Sequence, residues 1–246
     1  MSSSESRRDL KEYIKKIYKY KIELHAHTCP GSRCGEVPPD EVIKNCKNDG
    51  FYAVVISNHF NMDYCERFGN TADEFVENYL KDYYEAKKYG DKYGVKVILG
   101  CEIRFTENWN DYLLFGINEE DLKDFYNALE LGFENFAKNV KKDGMMIIQA
   151  HPFRNGMELV DEKLLDGVET FNMHFHHNSR VASAVKYAVE KKIPITTAGS
   201  DYHNEDGDDM GAVLCKELPE NSYDIVEILK KNDFVFEIGG DAIALP

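Results

Sequence analysis

The sequence alternates short apolar segments with longer amphipathic ones, and this alternation constrains the fold more than any other feature. The short segments are rich in Val, Ile and aromatic residues and have the length of buried parallel strands. Strands that alternate with helices are typical of an α/β fold. We therefore predict strands at Lys21–His25, Phe51–Ser57, Val95–Glu102, Tyr112–Ile117, Met145–Ala150, Gly167–Phe171 and Ile193–Ala198, with a further run at Phe234–Ile238.

Residues that begin and end helices lie between these strands. A Pro-Pro pair at positions 38 and 39 and the Thr71-x-x-Glu74 pattern of a capping box are typical helix starts. Gly50 and Gly144 stand where a C-terminal glycine would stop a helix. The predicted helices are Pro39–Asp49, Thr71–Lys88, Glu119–Lys142, Asn178–Lys192 and Tyr223–Lys231.

The number of alternations indicates the architecture. Strand and helix follow each other about seven times, which predicts a closed or nearly closed β/α barrel. A doubly wound open sheet is the alternative, but no G-x-G-x-x-G motif follows the first strand. The chain has 246 residues and shows no internal repeat and no Pro-rich linker. We predict one domain at residues 21–246, preceded by a helical or flexible extension at residues 1–20.

Charge and cysteine content limit the class of partner and the compartment. The chain has 44 acidic and 30 basic residues, a formal net charge of −14. This excess argues against broad electrostatic binding of nucleic acid or of an anionic membrane, although a cleft can still attract a small anionic substrate. The N-terminus lacks an apolar signal-peptide core, and the six irregularly spaced cysteines favour free thiols. We predict a cytoplasmic protein; its oligomeric state stays open.

Five of the eight histidines and two acidic residues follow the ends of predicted strands. In a parallel β/α barrel, the C-terminal ends of the strands converge on the face where active sites form. Residues two apart on a strand point the same way, so H-x-H and D-x-H each direct two donors to one place. Imidazole and carboxylate groups together suit divalent Zn, Mn or Fe. The predicted metal ligands are His25, His27, His59, Glu102, His151, Asp201 and His203.

Arginines near these ligands indicate the substrate. Arg104 and Arg154 lie within a few residues of a predicted ligand, and Arg180 follows a histidine-rich segment. Because a planar guanidinium matches a phosphoryl group, we predict that these arginines bind a phosphate substrate. Pairing of Arg104 or Arg154 with a carboxylate is the alternative. The histidine-rich segment is interpreted as a solvated loop, with one residue lining the site as the alternative; it contains His174, His176 and His177.

Two cysteines form a further pattern. Cys29 and Cys34 flank a Pro-Gly turn with a spacing that resembles a zinc knuckle. The sequence has no second cysteine pair, which excludes a four-cysteine zinc site. Cys34 as a single metal ligand beside His59 stays an open alternative.

Taken in order, the motifs resemble those of the polymerase-and-histidinol-phosphatase (PHP) family of metal-dependent phosphoesterases, in particular histidinol phosphatases. The resemblance covers about residues 21–213 and rests on ELHAHT, ISNHF, LGCEI, AHPFR, VETFN and GSDYH. It implies a distorted, TIM-like seven-stranded β/α barrel with two or three divalent metal ions. The implied ligand sets are His25, His27, Glu102 and Asp201 for the first ion, Glu102 and His151 for the second, and His59 and His203 for the third.

Two positions depart from the family pattern. Family members often have a His or Asp in the loop after H-x-H, where this chain offers Arg33, Cys34 and Glu36. Many also have a His after the strand that ends at Glu102, where Asp111 is the nearest substitute.

The leading hypothesis is hydrolysis of a small-molecule phosphate ester. Metal ions less than about 4 Å apart lower the pKa of a bridging water and stabilise charge on the phosphoryl oxygens. Glu102 would bridge the ions, and Asp201 or His203 would protonate the leaving alkoxide. A metal-dependent amidohydrolase and a non-catalytic metal-binding PHP module are the alternatives. No Lys follows a predicted strand end and nothing resembling a polymerase is attached, which favours the phosphoesterase.

Overall fold

The structure, a computed structural model, describes residues 3–204, 210–240 and 242–246. Residues 1 and 2 of the predicted N-terminal extension lie outside this part. The strands are β1 (Tyr20–Ala26), β2 (Ala53–Ile56), β3 (His59–Phe60), β4 (Lys96–Leu99), β5 (Cys101–Arg104), β6 (Asp111–Phe115), β7 (Met146–Gln149), β8 (Gly167–Asn172), β9 (Ile195–Gly199), β10 (Gly211–Cys215), β11 (Val235–Ile238) and β12 (Ala242–Ala244). The α-helices are α1 (Ser3–Ile17), α2 (Pro39–Asn48), α3 (Cys65–Phe68), α4 (Ala72–Tyr93), α5 (Asp121–Ala128), α6 (Phe133–Asn135), α7 (Val181–Lys191) and α8 (Ser222–Lys231).

The strands form two six-stranded mixed sheets, in the orders β12-β11-β10-β1-β2-β4 and β3-β5-β6-β7-β8-β9. The sheets meet where β2 continues into β3 and β4 into β5. The Gly100 N–H donates to the Ile56 carbonyl across this break, at 3.1 Å. On the other side, a bridge between Ala26 and Tyr202 joins the end of β1 to the segment after β9. These contacts bring the carboxyl ends of strands from both sheets to one region.

The mixed α/β class is confirmed, and a strand lies in every predicted strand region. The expectation of parallel strands is wrong for β6, which is antiparallel to both β5 and β7. The reason is the short connection from Arg104 to Asp111, which is long enough for a hairpin but too short for a parallel crossover. β10 and β12 are additional antiparallel strands of the first sheet: β10 lies between β1 and β11, and β12 forms the edge. The closed seven-stranded barrel stays a prediction.

The helices differ most from expectation between residues 119 and 142. One long helix was expected there, but the chain forms α5, α6 and a π-helical turn at Phe136–Val140. Gly132 separates α5 from α6 because its φ of +82° is incompatible with a continuous helix. The predicted cap at Thr71 is confirmed, since its hydroxyl accepts from the Glu74 N–H. The helix expected to end at Lys88 continues to Tyr93 and ends before Gly94, which is in the left-handed region. The stop expected at Gly144 is wrong, because the π-helical turn already ends at Val140. No helix within the described residues is both long and apolar enough to cross a membrane.

Helix α1 and the segment after it contact the first sheet near β11 through charged and polar groups. The Lys15 ammonium pairs with the Glu237 carboxylate on β11, and Lys21 binds the same carboxylate at 2.7 Å. The Tyr18 hydroxyl donates to Asp233 at 2.8 Å. These contacts join the residues before position 20 to the sheet. The domain boundary at residue 20 stays a prediction.

Apolar side chains fill both faces of the central strands. One cluster lies between the sheets and α2, α4 and α5, and includes Phe60, Phe75 and Phe125. A second cluster joins β1, β2, β6, β7 and β10, with Leu24 and Leu113 among its fully buried members. Burial of each such side chain stabilises the fold by roughly 1.5–3 kcal/mol. The polar strand ends are therefore held on an apolar scaffold.

Candidate metal centre

All seven predicted ligands lie at strand ends in one polar cluster. His25 is in β1, His59 in β3 and Glu102 in β5. His27 directly follows β1, His151 comes two residues after the end of β7, and Asp201 and His203 lie in the segment after β9. Six of them are buried, and the side chain of His59 is 14% exposed. Four groups each place three donor atoms within 4.8 Å of one another: His25, His27 and Asp201; His25, Glu102 and His151; His27, His59 and His203; and His59, Glu102 and Asp111.

The donors around His25 and His27 have the spacing of ligands on one ion. His25 Nε2 lies 3.2 Å from Glu102 Oε1 and 3.4 Å from Asp201 Oδ1. His27 Nε2 lies 3.4 Å from Glu102 Oε2 and 3.2 Å from Asp201 Oδ1. Nitrogen and oxygen ligands at about 2.0–2.1 Å from a tetrahedral zinc ion are about 3.3 Å apart. The four side chains therefore fit a divalent cation.

Hydrogen bonds set the tautomer in which these histidines bind metal. His25 Nδ1 donates to Glu169 Oε1 at 2.9 Å, and His27 Nδ1 donates to Ser32 Oγ at 3.0 Å. His203 Nδ1 donates to the Asp201 carbonyl at 2.7 Å. Each bond leaves Nε2 with a lone pair directed into the cluster, the arrangement usual for metal-bound imidazole.

Several side-chain atoms that could bind a metal ion are buried and lack any hydrogen-bond partner. They are His25 Nε2, His27 Nε2, His59 Nδ1 and Glu102 Oε2. His59 Nδ1 approaches Glu102 Oε2 to 2.7 Å without hydrogen-bond geometry. Unpartnered buried polar atoms are costly and rare in folded proteins. Four of them converging on one region indicate a site for a cation.

Glu169 and Ser32 hold the ligands from behind. Besides His25, the Glu169 carboxylate accepts the His151 N–H at 3.1 Å and the Asn172 amide at 2.9 Å. Ser32 Oγ also accepts the His59 N–H, at 3.1 Å. Sequence reasoning noted Glu169 only as part of a motif and gave Ser32 no role. Neither has a sequence signal of its own, because its role depends on which strand end lies opposite.

The backbone at two predicted ligands is strained. His151 has φ of +28° and Asp201 has φ of +53°, both in the left-handed region. Such conformations cluster at functional sites. Gly199 makes room next to Asp201, since a Cβ there would lie 2.6 Å from the His25 Cβ and 2.8 Å from Glu169 Oε1.

Electrostatics in the metal-free chain keep the carboxylates ionised. Burial opposes ionisation, but His25 and its imidazole neighbours lower the pKa of both Glu102 and Asp201 well below the usual range. Burial likewise opposes protonation of His25, but Asp201, Glu169 and Glu102 raise its pKa well above the usual value. Burial lowers the pKa of His27 well below the usual value, with His203 and His59 adding to the effect. The carboxylates are thus neutralised partly by imidazolium, a role that a divalent cation would take over.

The loop cysteine and Asp111 also lie at this centre. Cys34 is exposed at one side, and partial desolvation of its thiol opposes ionisation, but hydrogen bonds with His203 and His59 lower the pKa of the thiol to about 6. Burial and the Glu102 charge raise the pKa of Asp111. Arg104 holds Asp111 through two bonds of 2.8 Å.

The structure places the three predicted substrate arginines differently. Arg154 donates to Asp201 Oδ2 at 2.5 Å and to Asn172 at 2.8 Å, while its Nε is buried without a partner. Arg104 pairs with Asp111, as the alternative to phosphate contact expected. Arg180 bonds the Phe153 carbonyl and the Asn155 side chain, and so lies beyond Arg154. Binding of phosphate by these arginines stays a prediction.

The histidine-rich segment divides into two parts. The His174 ring lies 4.9 Å from the His203 ring, and burial lowers the pKa of His174 to about 4. His176 and His177 are exposed. His174 therefore lines the cluster, and the other two match the expected solvated loop.

Comparisons with known proteins agree with this arrangement. The family model of the PHP domain matches residues 23–239. The chain belongs to the PHP domain family. It is 26% identical to the uncharacterized protein MJ1587 of Methanocaldococcus jannaschii over 160 residues, which cover 63% of this chain and 78% of that protein.

Two solved structures share the fold of this PHP chain. One is a two-domain protein of Bacteroides vulgatus that contains a predicted PHP-like metal-dependent phosphoesterase, with a TM-score of 0.64 and 16% identity. The similarity covers 89% of this chain and 64% of that protein, so the chain spans just under two thirds of it. The other is PsfC of Pseudomonas syringae, with a TM-score of 0.57, 16% identity and coverage of 83% and 86%.

Proposed function

We propose that the chain is a metal-dependent hydrolase of small-molecule phosphate esters with a centre of two or three divalent ions. The observation that carries the proposal is the convergence of unpartnered buried donors from His25, His27, His59 and Glu102. Membership of the PHP domain family supports it. Zn, Mn and Fe are the candidate metals, because all accept imidazole and carboxylate ligands.

Each predicted ion position has candidate ligands in the cluster, and the first two positions share Glu102. His25, His27, Glu102 and Asp201 would hold the first ion, and Glu102 with His151 the second, supported by the 3.1 Å distance from His151 Nε2 to Glu102 Oε1. Bound ions would supply Lewis acidity toward phosphoryl oxygens and a water of lowered pKa. The third ion would lie at His59 and His203.

The chain's own groups would orient the ester and move the leaving-group proton. The two oxygens of Glu102 face different histidines, which suits a carboxylate that bridges two ions. Asp201 and His203 are the candidates for protonating the leaving alkoxide, and Arg154 holds Asp201 in position. We propose that Arg104, Arg154 and Arg180 contact the phosphate, with the buried, unpartnered Nε of Arg154 as the supporting observation.

We also propose that the two sheets act as one distorted, TIM-like seven-stranded barrel. In this description β2–β3 and β4–β5 each count as one staggered strand. The hydrogen bonds of Tyr202 with the His27 N–H (3.0 Å) and the His25 carbonyl (3.2 Å) support closure between β9 and β1. A barrel explains why the predicted ligands gather at one face.

A substrate screen tests the proposed function. Protein loaded with Mn or Zn is offered panels of phosphate monoesters, diesters and amides, and release of phosphate, alcohol or amine is measured. We expect turnover of a phosphate ester that a chelator abolishes. Amine release from the amide panel alone would support an amidohydrolase. Stoichiometric metal binding with no turnover in any panel would support a non-catalytic metal-binding module.

A further inference from the structure

The loop after β1 carries a thiol into the metal centre. The Sγ of Cys34 lies 2.9 Å from His203 Nε2 and 3.1 Å from His59 Nε2. These two nitrogens belong to the histidines expected to hold the third ion. One sulfur and two nitrogens therefore face each other at the edge of the cluster.

The fold fixes the position of this sulfur. The Glu36 N–H donates to the His203 carbonyl at 2.7 Å, which ties the loop to the segment that carries one of the facing histidines. On the other side of Cys34, the Arg33 N–H donates to the Tyr64 hydroxyl at 2.7 Å. Because the loop is held on both sides of Cys34, the fold fixes the thiol beside His59 and His203.

A second observation points to a cation at the same place. Donor nitrogens of His27, His59 and His203 lie within 4.8 Å of one another. The Nε2 of His27 is fully buried and has no hydrogen-bond partner, while its Nδ1 is held by Ser32. The same nitrogen belongs to the group of donors at the first ion position, so it connects that position to His59 and His203. A thiol that only bonds two imidazoles would leave it unpaired, whereas a metal centre that extends to His59 and His203 would engage it.

We propose that Cys34 is a thiolate ligand that completes, with His59 and His203, a sulfur-containing metal subsite selective for zinc. The inference rests on the proposed metal centre and adds its ligand chemistry. Soft thiolate ligands select zinc, whereas sites of imidazole and carboxylate also accept Mn. The subsites of this centre would then differ in metal preference within one cluster.

Cobalt(II) is the probe that distinguishes a thiolate ligand from nitrogen and oxygen ligands. Cobalt bound by thiolate shows sulfur-to-metal charge-transfer absorption in the near ultraviolet, while all bound cobalt shows d–d absorption. The variants are Cys34→Ser and, as the matched control from the same loop, Cys29→Ser. We expect the charge-transfer band in wild type and in Cys29→Ser. Cys34→Ser should lack this band and should bind one equivalent of cobalt fewer than wild type.

A second measurement needs no variant. Cys34 is exposed and Cys29 is half-buried, so both can be followed by alkylation with iodoacetamide and peptide mass spectrometry. Because a metal-bound thiolate is a poor nucleophile, zinc should slow alkylation of Cys34 by about tenfold or more relative to Cys29. Equal alkylation rates of Cys34 with and without bound zinc would overturn the inference.

The cobalt spectra distinguish an absent thiolate subsite from an absent metal centre. Bound cobalt with d–d absorption but no charge-transfer band in wild type would overturn the thiolate subsite and leave the proposed metal centre intact. A band that persists in Cys34→Ser would do the same. No cobalt binding by the wild type would overturn the metal centre itself, and the thiolate subsite with it.

Discussion

Replacing Glu169 by Gln tests whether the carboxylate behind the centre controls the ligand state of His25. Glu169 Oε1 accepts from His25 Nδ1 at 2.9 Å. Oε2 accepts two donors, the His151 N–H at 3.1 Å and the Asn172 amide at 2.9 Å. A glutamine keeps the size of the side chain but offers only one acceptor oxygen.

The amide oxygen of Glu169→Gln should occupy the Oε2 position, because two donors require an acceptor there. Its NH2 group then faces His25 Nδ1, which must become an acceptor. The His25 proton moves to Nε2, the atom expected to bind metal. Loss of such a supporting bond typically weakens metal affinity 10- to 100-fold, or about 1.4–2.8 kcal/mol.

Competition with a chromophoric chelator measures this change in affinity. Thr170→Val is the matched control, since Thr170 is the next residue of β8, is also buried, and bonds the Thr197 carbonyl instead of a histidine. We expect both variants to lose some thermal stability and only Glu169→Gln to lose metal affinity. Wild-type affinity in Glu169→Gln would refute the tautomer argument.

Three further predictions concern Glu102, Arg154 and Glu237. Glu102→Gln should lower the rate of phosphate release by about a hundredfold or more. Its thermal midpoint should change modestly, since the apolar core does not depend on the Glu102 carboxylate; unfolding of this variant would make Glu102 structural. Arg154→Lys should lower kcat/KM by about ten- to a hundredfold with metal content retained, and a loss of metal instead would assign Arg154 to positioning Asp201. Burial alone would raise the pKa of Glu237, but hydrogen bonds from Lys15 and Lys21 lower this pKa below its ordinary 4.5. The ionised Glu237 carboxylate therefore stabilises the fold above pH 4.5, and this stabilisation is lost as pH falls through the lower native pKa. Glu237→Gln should therefore reduce the free energy of unfolding by about 1–2 kcal/mol at neutral pH, with the difference from wild type shrinking in acid; a constant difference would contradict this assignment.

The sequence allowed the cluster to be predicted because scarce residue types occur at strand ends. His25 and His27 lie two apart at the end of one strand, and Asp201 and His203 have the same spacing in the segment after another. Period-2 geometry directs the first pair to one face without knowledge of the tertiary fold. The left-handed backbone at Asp201 lies outside strand geometry, so tertiary contacts position the second pair. The structure brings both pairs together with Glu102, although metal binding by them stays a prediction.

Other features depend on tertiary contacts that local pattern does not encode. The direction of β6 follows from the length of a connection, and an apolar run alone carries no such information. Glu169 and Arg154 act on residues far away in sequence, His25 and Asp201. The position of Cys34 depends on a loop anchored to the segment after β9. The strand direction and the contacts of these residues could be identified only once the opposite element was known.

The centre reduces the stability of the metal-free chain, and this links metal to folding. His151 and Asp201 adopt left-handed backbone conformations, which cost about 1–3 kcal/mol each. The unpartnered atoms of His25, His27 and Glu102 add desolvation costs of about 1–3 kcal/mol per group. An ion that binds only the folded chain stabilises it by about 4 kcal/mol at a thousandfold excess over Kd. Because that gain offsets part of these costs, the arrangement that prepares the ligands also makes the stability of this fold depend on the ion they bind.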